Sequence, residues 1–76
     1  MMKLDEFESQ LRELLRREPF EPFTIVVADG RTIYVDKPSI AFGGGRGGFI
    51  PAEGAVEFFD CEQVVAFRPV HEGTAQ

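Results

Sequence analysis

Seventy-six residues, eight of them phenylalanine and none tryptophan, set this chain at the scale of one small domain. Thirteen acidic against eight basic side chains give a formal charge of −5, which repels phosphate backbones and disfavours nucleic acid as a partner. The single cysteine excludes an internal disulfide, and no apolar run is long enough to span a bilayer or to serve as a leader, so a cytoplasmic protein with no membrane partner is expected.

The first element in chain order is a helix over about 3–18. Leu4, Phe7, Leu11, Leu14 and Leu15 recur at helical spacing and form a narrow apolar stripe. Asp5, Glu6 and Glu8 fall in the first turns and Arg12, Arg16 and Arg17 toward the end, an order that suits the helix dipole. Glu8–Arg12 and Glu13–Arg17 stand at i,i+4 and are expected to pair. No Ser, Thr or Asn caps the start, whereas Pro19 biases Glu18 away from helical geometry and closes the end near Arg17 or Glu18.

Strands are expected over about 22–28, 31–36, 39–43, 48–51, 55–59 and 64–69. Asp29-Gly30 reads as a two-residue hairpin turn, which sets Val26 opposite Ile33 and Ile25 opposite Tyr34. Both sheet faces then carry apolar residues, so something must cover the second one. The glycine tract 43–48 reads as a flexible connection. Val56 and Phe58 share one strand face, Glu57 and Phe59 the other. Residues 71–76 read as a fraying tail. The fold expected is α+β, mainly β: an N-terminal helix followed by a small antiparallel barrel of five to six strands.

Three stretches carry a resemblance: Leu11-Arg-Glu-Leu-Leu-Arg-Arg-Glu18, Phe23-Thr-Ile-Val-Val-Ala-Asp-Gly30 and Val64-Val-Ala-Phe-Arg-Pro-Val70. Helix-then-strand order with a turn after the first strand resembles Sm-like and SH3-like small barrels, and among them the bacterial host-factor RNA chaperones. That resemblance implies a self-associating barrel and a basic rim on the helix, here Arg12, Arg16 and Arg17. It does not extend to the family's Tyr-Lys-His uridine-binding signature, because Phe59-Asp60-Cys61 stands in its place. Glu18-Pro-Phe-Glu-Pro-Phe-Thr-Ile-Val-Val-Ala-Asp-Gly-Arg31 also resembles the opening of a group of short uncharacterised bacterial proteins, which implies no activity.

Chemistry-bearing constellations are sparse. Gly43, Gly45 and Gly48 spell G-x-G-x-x-G, yet Phe49-Ile50-Pro51 cannot open the helix a dinucleotide site requires. Cys61 lies between Asp60 and Glu62, which oppose a thiolate nucleophile, and the only histidine, His71, falls in the tail. Glu53, Glu57, Asp60 and Glu62 lack the register of a calcium loop and read as a solvated acidic face. No catalytic, metal or cofactor site is therefore expected, with Cys61-dependent activity a remote alternative.

Phe58 and Phe59 must point to opposite faces, so one fills the core and the other meets the helix, a partner or water. With Tyr34 they are the candidate interface. The leading reading is a non-enzymatic interaction or oligomerisation module whose partner is a second copy or another protein. The alternative is an Sm-like RNA binder that uses the arginine rim.

Overall fold

The computed structural model describes residues 2–70. Helix α1 (Leu4–Arg16) precedes β1 (Phe23–Val27), β2 (Thr32–Val35), β3 (Ile40–Gly43), β4 (Arg46–Phe49), β5 (Glu57–Asp60) and β6 (Val64–Pro69). All pairings are antiparallel, in two three-stranded sheets ordered β2-β1-β6 and β3-β4-β5. The chain is thus α+β and mainly β.

Phe7, Leu11 and Leu14 bury the helix stripe. Lys3 offers no side-chain cap, in keeping with the missing Ser or Thr, and Arg17 is already extended, so the helix stops at Arg16, earlier than position 18. The helix packs through the Phe7 ring, edge-on to Phe59 and tilted against Phe67. The Phe7 ring lies 6.0 Å from both Phe59 of β5 and Phe67 of β6. One apolar cluster joins these residues to Phe23, Ile25, Val27, Ile33, Val35, Phe49 and Val64.

The β1–β2 register differs from the expected one by a single residue. Val27 N–H donates to the Arg31 carbonyl at 2.9 Å, so the connection is the three residues Ala28-Asp29-Gly30, with Gly30 at φ +97°. A three-residue loop ending in a left-handed residue is the next commonest hairpin after the two-residue kind. Ile25 therefore faces Ile33, and Tyr34 faces Thr24. Because strand side chains alternate, this slip moves whole faces. Phe23, Ile25, Val27, Ile33 and Val35 all turn inward, while Thr24, Thr32 and Tyr34 turn outward. On the other side of β1, a bulge between Val26 and Val27 resets the phase of β6, so Val64 faces Val27 and Phe67 faces Ile25 on the same inner side.

The glycine tract is not a flexible connection. Only Gly44 and Gly45 form the turn, with φ of +61° and +84°, the two positive values a tight two-residue hairpin requires. Arg46, Gly47 and Gly48 already belong to β4 and pair with both β3 and β5. The reason is tertiary. A Cβ on Gly47 would stand 2.7 Å from two ring carbons of Phe59, so the ring lies where that side chain would be.

The expected barrel is not closed, since neither sheet forms a ladder with the other. Five of the six strands have only four or five residues, and side chains stand at both seams. At one seam α1 lies between β6 and β3, with the Arg12 guanidinium 5.8 Å from the centre of the Phe42 ring. At the other, Arg31 reaches from the β1–β2 turn to β5. It makes a long hydrogen bond of 3.5 Å to the Phe58 carbonyl and lies 3.7 Å from the Glu57 carboxylate.

Candidate interaction surface

The outer face of β3-β4-β5 follows from strand parity. Gly47, Phe49 and Phe59 face the core, so Arg46, Gly48, Phe58 and Asp60 face out. Phe58 opposes Gly48, which in turn opposes Ala41 of β3. Neither neighbour has a side chain large enough to cover an aromatic ring, and Phe58 stays 70% exposed. Its ring lies along the sheet, 3.3 Å from where a Cβ on Gly48 would be, with a Val56 methyl carbon 3.4 Å from the same point. Val56 at 41% and Ile50 at 52% exposure extend the apolar strip. Together with Ala41, Gly43 and Arg46 these residues line an open groove of about 560 Å³.

Charge sits at the ends of this strip. Arg46 is the cross-strand partner of Asp60, but they form no ion pair, and one Asp60 carboxylate oxygen instead accepts the Glu62 backbone N–H at 3.1 Å. That hydrogen bond holds the β5–β6 turn, as does the Gln63 N–H donated to the Asp60 carbonyl at 3.0 Å. Glu57 is engaged by Arg31, which also lies 3.2 Å from Asp29. The Asp29 carboxyl is held below its ordinary value chiefly by the Arg31 backbone N–H, bonded at 2.9 Å, with the guanidinium adding to the effect.

The three candidate interface residues separate. Phe58 is exposed as an interface requires. Phe59 is corrected to a core residue, 4% exposed and packed edge-on to Phe7. Tyr34 is 53% exposed but lies on the outer face of the other sheet, so it does not join Phe58 in one patch. Ile50, Val56 and Arg46 were not singled out in the sequence. The alternation of Val56 with Phe58 carried part of that signal, whereas the face of Arg46 became visible only once the glycine tract was seen to be a strand.

The arginine rim is also redistributed. Arg12 and Arg16 on the helix and Arg17 just past its end line one open groove with Ser9 and Glu13. The expected Glu8–Arg12 and Glu13–Arg17 pairs do not form. Arg17 pairs with Glu21 at 3.1 Å, Arg12 lies over Phe42, and Arg16 makes no ion pair among the described residues. Arg17 has already left the helix, and the chain bends at Glu18 and Pro19 before Glu21.

Cys61 is half-buried and serves the backbone. Its N–H donates to the Gly45 carbonyl at 2.7 Å and its carbonyl accepts the Met2 N–H at 2.9 Å. His71 lies outside the described residues, so a Cys61–His71 pair falls there too. Among the described residues no three of His, Cys, Asp and Glu are grouped to hold a metal ion, and no helix is long and apolar enough to cross a membrane. No family model, curated protein or solved structure matches the chain.

Proposed function

We propose that this chain is a non-enzymatic protein-interaction module, an open variant of a small Sm-like or SH3-like barrel, that works through the outer face of β3-β4-β5. The observation that carries this reading is Phe58. A large aromatic exposed to this extent, continuous with Val56 and Ile50 over a glycine floor, is an anchor in search of a pocket or an apolar side chain. Among the described residues, no convergent nucleophile, base or metal-binding group of the kind catalysis requires lies around it. Selection from a random-peptide display library, with wild-type protein and Phe58→Ser as parallel baits, tests the module reading. The wild type enriches peptides that the variant does not retain. Equal recovery by both baits, with both folded by circular dichroism, would contradict it.

A second reading rests on Arg16, which has no ion partner among the described residues and lies beside Arg12 and Arg17. On that reading the helix face binds RNA phosphates as Sm-like proteins do. Binding of oligo-U or oligo-A at low salt, lost in Arg16→Ala/Arg17→Ala and weakened steeply by salt, supports it; no binding removes it.

A further inference from the structure

The groove around Phe58 is lined by apolar side chains, glycine backbone and one charged side chain, Arg46. Arg46 is exposed and makes no ion pair among the described residues. The reason is local. Its partner on β3 is Gly43, which has no side chain, and its partner on β5 is Asp60, which accepts the Glu62 backbone N–H. Asp60 lines an adjoining hollow that Arg46 also borders, and does not line this groove. The other acids nearby in sequence are directed elsewhere: Glu57 is engaged by Arg31, and Glu53 lines a separate groove with Tyr34. An unmatched positive charge therefore stands beside the apolar strip. Arg46 and Gly48 are successive outward positions of β4, about 7 Å apart.

Area and charge together select the occupant. The exposed apolar area of Phe58, Val56 and Ile50 is on the order of 300 Å², whereas a stable interface buries about 800 Å² per partner, more than half of it apolar. A second copy is thus poorly served by this face, and a short extended segment needs less. Such a segment can set one carboxylate against Arg46. The net charge of −5 does not forbid this, because salt at about 0.15 M screens distant charges beyond about 8 Å, while an Arg–carboxylate contact is made within about 4 Å.

Resting on the module reading above, we infer that the outer face of β3-β4-β5 docks an extended segment of another protein that carries a large apolar side chain and, two residues from it, an Asp or Glu. The apolar side chain seats against Phe58 over Gly48, and the carboxylate pairs with Arg46. The spacing follows from the pleat: side chains two residues apart on an extended chain share a face and stand about 7 Å apart, the same interval as Gly48 to Arg46. The apolar contact holds the segment, and the ion pair sets its direction along β4.

Three fluorescein-labelled synthetic peptides test this by anisotropy at about 0.15 M salt. Each has a central Phe in a Thr-rich extended background. One carries Gln two residues before and two residues after the Phe, and the other two replace either the first or the second Gln by Glu. One of the Glu peptides, and not the other, binds about threefold more tightly than the Gln peptide. Arg46→Gln abolishes that preference and leaves the Gln peptide within about twofold of its wild-type affinity. Arg68→Gln makes the same change in net charge on β6 of the other sheet and keeps the preference. Phe58→Ser weakens all three peptides at least about tenfold. Phe58-dependent binding with no Glu preference, with equal preference at both positions, or with a preference that survives Arg46→Gln overturns the acidic partner and leaves the module standing. A preference lost equally in Arg68→Gln overturns it too, since net charge would then be its cause. No Phe58-dependent binding of any of the three also overturns it. The module reading fails separately, when wild type and Phe58→Ser recover the same library peptides.

Discussion

The two sheets have the same number of strands and the same antiparallel pairing, yet they are made of different material. In β2-β1-β6 the strands are rich in β-branched residues, the inner face is wholly apolar, and the outer face carries Thr24, Thr32 and Tyr34. In β3-β4-β5 the central strand has glycine at two of its four positions, and β5 places a phenylalanine on either side of it. The first sheet is a strand-former by composition. In the second, aromatic rings lie on glycine backbone at both faces: Phe59 over Gly47 on the inner face, where it belongs to the core, and Phe58 over Gly48 on the outer one. The arrangement is nearly symmetric across the sheet, but α1 covers only one side. The ring on the covered side, Phe59, is core, and the ring on the bare side, Phe58, is exposed.

The largest break in that symmetry is Phe59→Ala. It removes a buried ring that touches Phe7 and should cost about 3–5 kcal/mol, out of a total of roughly 4–11 kcal/mol for a domain of this size. Thermal unfolding should fall by at least about 12 °C, to the point where the variant is partly unfolded at 37 °C.

Next comes the glycine pair. Gly47→Ala drives a methyl group to within 2.7 Å of the Phe59 ring carbons, and overpacking of this kind costs about 1–3 kcal/mol. Gly48→Ala meets the Phe58 ring at 3.3 Å, but that ring is free to swing into solvent, so the cost should stay within about 0.5 kcal/mol. Denaturant midpoints of the two variants, measured side by side, read the difference directly.

Gly45→Ala is smaller than Gly47→Ala. It forces a side chain into φ +84° beside the Cys61 sulfur at 3.1 Å and should cost about 1–2 kcal/mol by chemical denaturation.

The smallest effect belongs to the first sheet and its polar turn. The Asp29 carboxyl titrates below its ordinary value of 3.8 in the folded protein, so its contribution to stability is complete above that value and is lost as pH falls through the lowered one. Asp29→Asn should flatten the acid limb of a stability-versus-pH curve in that window and leave the variant's own pH dependence above it unchanged.

These contrasts mark what was legible in the sequence. The helix was readable because Phe7, Leu11 and Leu14 keep their period and Pro19 punctuates it. The first hairpin was readable in existence and not in register. Asp29-Gly30 suits a two-residue turn, but the left-handed Gly30 serves equally as the last residue of a three-residue loop. That single step turned Tyr34 and Val26 out and brought Ile33 opposite Ile25. β4 was hidden because its identity as a strand depends on Phe59, twelve residues after Gly47, a contact no local pattern displays. At the site, strand parity revealed that Phe58 and Phe59 part company. Which of them is core depended on where α1 lies, and that is a tertiary fact.

On the proposed reading Phe58 is kept for contact and not for folding, and one paired measurement on Phe58→Ser tests this: thermal unfolding together with titration by a peptide that the wild-type protein enriches from the display library. The account predicts a midpoint within about 2–4 °C of wild type, equivalent to about 0.5 kcal/mol, with peptide affinity down at least about tenfold. A midpoint that falls as far as that of Phe59→Ala, or an affinity that does not change, would contradict it.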